Sequence, residues 1–223
     1  DVRAGVLLIA ACPVGGVSSA FSYMARASPA LSVTLTGISC LFASATIPML
    51  GWLLSRAFPD TATFTAPLGA LASQIFLVLG LPIAVGMLLR RVAPAAVRRA
   101  APAMQVTAFA GILMVFALII ARDPQAFVDQ LPTTVPLALT FIGLSMAVGW
   151  ICAALLTDDR RDRFTIAAEF ATRNIAVATT IAVTILGRFE FARFSAVYSL
   201  TEIPLMLAAI AAFRATTPPP PSA

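Results

Sequence analysis

The sequence predicts an all-α, polytopic membrane protein with about seven transmembrane segments. Two observations carry that expectation. The first is composition: 60% of the 223 residues are hydrophobic and only 11% are charged, against about 25% charged residues in a soluble domain. The mean hydropathy is +0.94. Folding alone cannot hide this much apolar surface from water, so lipid is the expected solvent. The second is punctuation. Residues 4–25, 27–55, 61–89, 100–121 and 130–157 contain no Asp, Glu, Arg or Lys. Each run is long enough for the ~20-residue helix that crosses a bilayer core. Two more apolar segments, 164–187 and 191–213, carry charges inside them. A backbone in lipid must satisfy its own hydrogen bonds, so these segments are helices and not open strands. The non-alternating pattern also argues against a transmembrane barrel.

The residue types narrow the chemistry. The chain has no His, which removes the usual general base and the commonest metal ligand. All fifteen basic residues are Arg. They lie between apolar runs and form no stripe, so nucleic acid is not an expected partner. Cys12, Cys40 and Cys152 sit far apart in apolar runs and read as small core residues, not as disulfides or ligands.

The first segment is not a simple span. Cys12-Pro13-Val14-Gly15-Gly16-Val17-Ser18-Ser19 falls at mid-membrane. Pro13 removes a donor and clashes with the preceding turn, and the paired glycines loosen the helix. The expectation is a short half ending near Cys12, an unwound stretch, and a second half from about Ser18 to Arg26. A plain proline kink is the alternative. Ala27-Ser28-Pro29 then makes a tight turn, with Pro29 opening the next helix.

The segment 164–187 is the second exception. Glu169, Arg173 and Asn174 place an acid, a base and an amide within six residues at membrane depth. A charge at a helix centre costs at least ~2.5–3.5 kcal/mol and persists mainly where it has work to do. A Thr172-Arg173-Asn174 break between two apolar halves would open carbonyls and a helix N-terminus to a cavity. Two interrupted helices far apart in a chain point to a transporter binding site. The alternative is a structural Glu-Arg pair that closes helix packing. Glu202 is a third intramembrane charge, with Arg173 as its simplest partner.

Arg counts set the orientation. Arg90, Arg91, Arg98 and Arg99 mark one loop, and Arg160, Arg161 and Arg163 another. The intervening loops carry only Arg56, Arg122, and Arg188 with Arg193. The Arg-rich set is expected to be cytoplasmic, together with the chain end after Arg214. Residues 1–214 read as one transmembrane domain. Residues 215–223 read as a disordered Pro-rich tail. The opening at Asp1, with no signal-peptide pattern, leads us to expect an earlier segment.

The two broken stretches resemble those of the bile acid:sodium symporter family of secondary transporters. Cys12-Pro13, Ser18-Ser19, Tyr23-Met24-Ala25-Arg26, Ala30-Leu31-Ser32-Val33 and Thr36 look like the family's first crossover helix and the helix after it. Glu169-Phe170-Ala171-Thr172-Arg173-Asn174 looks like the second crossover. The resemblance implies ten helices in two inverted five-helix repeats. The chain would begin at the fourth helix and lack the first three. Its crossovers would be the fourth and ninth helices, and loops after even-numbered helices would be cytoplasmic, in agreement with the Arg count.

The resemblance also implies roles. A first sodium site would use Ser18, Ser19, Ser32, Thr36 and Glu169. Several neutral oxygens with one carboxylate suit that ion, and Ser32 and Thr36, four apart, share a helix face. Ser19 stands where members often carry Asn. A second ion site would use Glu169 with the carbonyls of Phe170 and Thr172, but Arg173 occupies the position of a family Gln. A guanidinium has no acceptor, so Arg173 would replace the second ion or hold the substrate carboxylate. Substrate would meet Ser18, Ser19, Arg173, Asn174 and Glu202. Half-helix N-termini and a buried Arg both favour anions.

The expected function is therefore sodium-coupled symport of organic anions, such as bile acids or small carboxylates, by alternating access. The expected setting is a bacterial inner membrane. No cofactor is expected beyond sodium as coupling ion, and the partners are the bilayer, the anion and sodium. Rival readings are a proton-coupled carrier or arsenite-type exporter of similar build, and a fragment without activity. An intramembrane hydrolase built on Ser18 fails, because no His or Lys is present to activate it.

Overall fold

The computed structural model describes residues 2–57, 73, 77, 81–185 and 187–218. The described residues are helical throughout, apart from short connections: α1 (Val2–Ala11), α2 (Val17–Met24), α3 (Pro29–Ala57), α4 (Leu81–Val92), α5 (Pro94–Arg122), α6 (Pro124–Ala154), α7 (Arg160–Ala171), α8 (Ile175–Thr180) and α9 (Phe189–Thr216). A π-helical turn, Ile181–Ile185, continues α8. Most of the helix expected over 61–89 lies outside the described residues, and α4 is its far end.

Among the described residues, α6 and α9 are long and apolar enough to cross a membrane. With 31 and 28 residues, they extend about 46 and 42 Å at ~1.5 Å per residue, beyond the ~30 Å hydrocarbon core. Proline is tolerated inside both, at Pro132, Pro136 and Pro204. The outward faces are apolar: Phe42, Leu118, Leu144 and Leu200 are all well exposed, as expected where the solvent is lipid.

The core forms around α9. Its N-terminal half is buried almost all round, and Glu202, Met206, Ile210 and Phe213 continue the buried stripe at helical spacing. Small residues let neighbours come close. A side chain at Gly5 would meet Phe194 Cβ at 2.8 Å, and one at Gly149 would meet Phe170 Cβ at 2.8 Å and Ala167 Cα at 2.9 Å. Hence α1 packs on α9 and α7 on α6 at nearly backbone distance. All three cysteines are free thiols.

Both helix breaks expected from the sequence are present. The first separates α1 from α2 over residues 12–16, so a single kink is excluded. The second separates α7 from α8 over Thr172, Arg173 and Asn174. Pro29 begins α3 as anticipated. The turn into it passes through Arg26 at φ 56°, a left-handed helix end.

The two ends of the bundle differ in charge. At one end Arg26, Arg161 and Arg214 line a cavity of about 110 Å³ together with Thr217 and Pro218. Arg160 donates to the Thr216 carbonyl and Arg161 to that of Pro218, both at 3.1 Å. At the other end of α9, Arg193 pairs with Asp123 at 2.9 Å and Arg188 with Glu190 at 2.7 Å. The 157–163 loop and the chain end thus share one side. The last helix runs to Thr216, so Ala215 and Thr216, assigned above to the tail, are helical. Residues 219–223 lie outside the described residues.

Candidate functional site

The breaks cross each other. Val14 and Arg173 form an antiparallel bridge. The Asn174 N–H donates to the Pro13 carbonyl at 2.8 Å, and the Gly15 N–H to the Thr172 carbonyl at 3.4 Å. Main-chain groups released by each break are satisfied in part by the other, as buried backbone groups away from water require. Gly15 makes the approach possible: a Cβ there would lie 2.6 Å from the Arg173 carbonyl oxygen. The Val14 N–H donates to Ser39 Oγ at 3.1 Å, tying the first break to α3.

Beside the crossing, Ser18 and Ser19 from the start of α2, Ser32 and Thr36 from α3, and Glu169 from the last turn of α7 converge. Glu169 is 2% exposed. Ser32 Oγ donates to its Oε1, and Thr36 Oγ1 donates to its Oε2 at 2.9 Å. Ser19 Oγ lies 3.0 Å from Ser32 Oγ. Ser18 Oγ lies 3.4 Å from Ser32 Oγ and 3.3 Å from Thr36 Oγ1. A hydroxyl has one proton. Ser32 and Thr36 direct theirs at the carboxylate, so Ser19 donates to Ser32, and Ser18 has a single proton to place among Ser32, Thr36 and the carboxylate. The result is one carboxylate and four hydroxyl oxygens from three helices, a donor set that suits a hard, singly charged cation.

The remaining candidates divide. The Thr172 carbonyl accepts from Gly15, and Phe170 turns its side chain away, against Gly149. Asn174 Oδ1 accepts from the Val177 N–H at 3.1 Å and caps α8. Asn174→Ala is expected to cost about 1 kcal/mol, the usual worth of an N-cap. Thermal unfolding in detergent measures it, with Asn174→Asp restoring the loss.

The pairing expected for Arg173 is corrected. Among the described residues, no ion pair within 4.0 Å joins Arg173 to Glu202 or to Glu169; the ion pairs are Arg163–Asp158, Arg188–Glu190 and Arg193–Asp123. Both Glu169 oxygens are engaged by hydroxyls. The Arg173 guanidinium instead lies 5.8 Å from the centre of the Phe141 ring, held by a residue of α6 that no local motif announces. Phe141 in turn meets Tyr198 edge-on at 5.8 Å.

Two structural partners went unrecognised in the sequence. Tyr198 donates its hydroxyl to the Ala171 carbonyl at 2.5 Å and so completes the end of α7. Ser39 receives the Val14 N–H. A signal for Ser39 was present: 32, 36 and 39 follow helical spacing, a row of hydroxyls down one face of α3.

Residues 1–130 match the family model described as the sodium bile acid symporter family. The chain is 24% identical over 182 residues to an uncharacterized sodium-dependent transporter, YocS, of Bacillus subtilis, covering 82% of this chain. A match of that length takes in Glu169 wherever it begins. It is 25% identical to the probable sodium/metabolite cotransporter BASS1 of rice chloroplasts, over 80% of the chain, and 28% identical to mouse sodium/bile acid cotransporter 4, over 79%. The chain spans 55%, 43% and 40% of those relatives' lengths. With more than half of its residues inside the family model, and with both helix breaks crossing beside a buried acid, the chain belongs to the sodium bile acid symporter family.

Proposed function

We propose that this chain forms the ion- and substrate-binding part of a sodium-coupled symporter of small organic acids. The observation that carries this reading is the convergence of Glu169 with four hydroxyls where two interrupted helices cross. Sodium would bind Ser18, Ser19, Ser32, Thr36 and Glu169. It would replace the hydroxyl-to-carboxylate bonds that now join α3 to α7 and the hydroxyl-to-hydroxyl bonds that join α2 to α3. Because α2 and α7 each border one of the breaks, ion occupancy biases the shape of the crossing, and ion and substrate binding become coupled.

The reading includes seven membrane segments of a ten-helix inverted repeat, with α1–α2 and α7–α8 as the equivalent crossovers. A core of α1–α3 and α6–α9 would rock against a panel containing α4 and α5. The Arg-lined end of the bundle would face the cytoplasm, in a bacterial plasma membrane. With Arg173 at the place of a second ion, one sodium is expected per cycle.

The test is uptake of a labelled organic anion, first a bile salt and then small keto and hydroxy acids, by the full-length protein in proteoliposomes. An inward sodium gradient is compared with potassium at fixed pH. Sodium-stimulated uptake with a Hill coefficient near one is the expected result. A coefficient clearly above one removes the single-ion part. Uptake driven by a pH gradient and indifferent to sodium replaces the reading with proton coupling.

A further inference from the structure

The cavity at the Arg-rich end of the bundle is lined from three elements. Arg26 comes from the turn after α2, Arg161 from the first turn of α7 and Arg214 from the last turn of α9. Among the described residues, none of the three forms an ion pair. The carboxylates around the start of α7 are committed elsewhere: Asp158 to Arg163, Asp159 to the Arg161 N–H, and Asp162 to Ser28. The cavity is also fixed in shape. Arg160 and Arg161 hold the Thr216 and Pro218 carbonyls, and Thr217 between them lines the space. Thr217 Oγ1 is buried without a hydrogen-bond partner, which is costly for a hydroxyl. The lining is therefore rich in donors, and the one carbonyl known to accept there, that of Pro218, is already taken by Arg161. What the cavity lacks is a negatively charged acceptor.

The shape of that acceptor follows from the donors. A carboxylate presents two oxygens in one plane, and a single guanidinium can engage both. Three guanidiniums and a hydroxyl arriving from three elements match the tetrahedral oxygens of a phosphate better. At about 110 Å³ the cavity takes a group of a few heavy atoms. It is too small for a whole organic cargo, whose pockets run to about 300–1,000 Å³. Its depth fits a headgroup. The 28-residue α9 outruns the hydrocarbon core, so its last turn lies among the lipid headgroups. Tyr23, well exposed at the end of α2, is of the amphipathic aromatic type enriched at that level.

We propose that this cavity binds a phosphate group, carried by an anionic phospholipid or free in solution, and that the bound phosphate ties the end of α2 to α7 and α9. The site is separate from the Glu169 cluster and is independent of the coupling ion and the cargo.

The experiment uses the full-length protein, stripped of lipid in a neutral detergent, with potassium salts throughout so that the sodium cluster plays no part. Thermal unfolding is followed across titrations of potassium phosphate, potassium acetate, dioctanoyl phosphatidylglycerol and dioctanoylglycerol, at constant ionic strength. At least one phosphate-bearing probe is expected to stabilise the wild type. Arg214→Gln and Arg26→Gln should each weaken its apparent affinity about tenfold, and Thr217→Val about threefold. Arg98→Gln, from the other Arg-rich loop and outside the cavity, should leave it unchanged. Phosphatidylglycerol binding more tightly than inorganic phosphate makes the source a lipid; equal or tighter binding of inorganic phosphate makes it the free ion. The inference is overturned if neither probe stabilises the protein, or if acetate or the phosphate-free diacylglycerol does so equally well. It is also overturned if Arg214→Gln binds as the wild type does, or if Arg98→Gln weakens binding as much as Arg214→Gln.

Discussion

Glu169→Gln is expected to lower sodium affinity about 100-fold while leaving the helices assembled. The amide keeps an oxygen for Ser32 or Thr36 and the same shape, so the hydrogen-bonded cluster survives in outline. What disappears is the negative charge, leaving a sodium ion with neutral oxygens alone. The measurement is thermal unfolding in detergent, in sodium against potassium chloride. At a sodium concentration 100 times the wild-type Kd, binding stabilises the folded protein by about 2.7 kcal/mol. A 100-fold weaker site at the same concentration gives only ~0.4 kcal/mol. Glu169→Ala should also cost about 2–3 kcal/mol without sodium, because the Ser32 and Thr36 hydroxyls lose their acceptor inside the protein. Equal protection of Glu169→Gln and wild type by sodium would end the assignment of this carboxylate.

Among the described glycines, Gly15→Ala is expected to be the most damaging alanine substitution. The added Cβ would lie 2.6 Å from the Arg173 carbonyl oxygen and 3.0 Å from its carbon. Both atoms are main chain and cannot rotate aside. Relief requires the two breaks to part, with loss of the Asn174–Pro13 and Gly15–Thr172 hydrogen bonds. Overpacking of this kind costs about 1–3 kcal/mol, and two broken main-chain bonds push the total to the upper end. Sodium protection should fall as well, since Ser18 and Ser19 follow three and four residues later. Gly16→Ala is the control. Nothing lies within 4 Å of a Cβ there, and its backbone is already right-handed helical, so the change should be neutral or slightly stabilising. If the two alanine variants unfold alike, the crossing is not the tight contact described here.

The breaks were legible because each violates the pattern around it. Pro13 with two glycines interrupts an apolar run, and Glu169, Arg173 and Asn174 interrupt another. Local sequence shows such violations directly. The clustering of Ser18, Ser19, Ser32, Thr36 and Glu169 was legible only through family resemblance, since residues 137 positions apart in the chain carry no spacing rule. The fate of Arg173 was not legible at all. Charge alone suggests Glu202 or Glu169 as its partner. The outcome depends on Phe141 reaching under the guanidinium from α6 and on two hydroxyls having already taken Glu169. Those are matters of three-dimensional competition. Tyr198 was hidden for the same reason: nothing in Tyr198-Ser199-Leu200 reveals that a carbonyl at the end of another helix needs a donor.

The crossing itself sets an unusual rule for how this sequence can vary. Its hydrogen bonds join main-chain atoms, so outside Gly15 they are indifferent to which side chains flank them. They are far less forgiving of how many residues each break contains. Removing one residue between Ala11 and Val17, or between Ala171 and Ile175, would put the Val14–Arg173 bridge and its flanking main-chain bonds out of register. Ser18 and Ser19 would then swing off the cluster on one side, or Asn174 off its cap on the other. Loop-like in appearance, these two short stretches should tolerate spelling changes and reject insertions and deletions, the reverse of what surface connections allow.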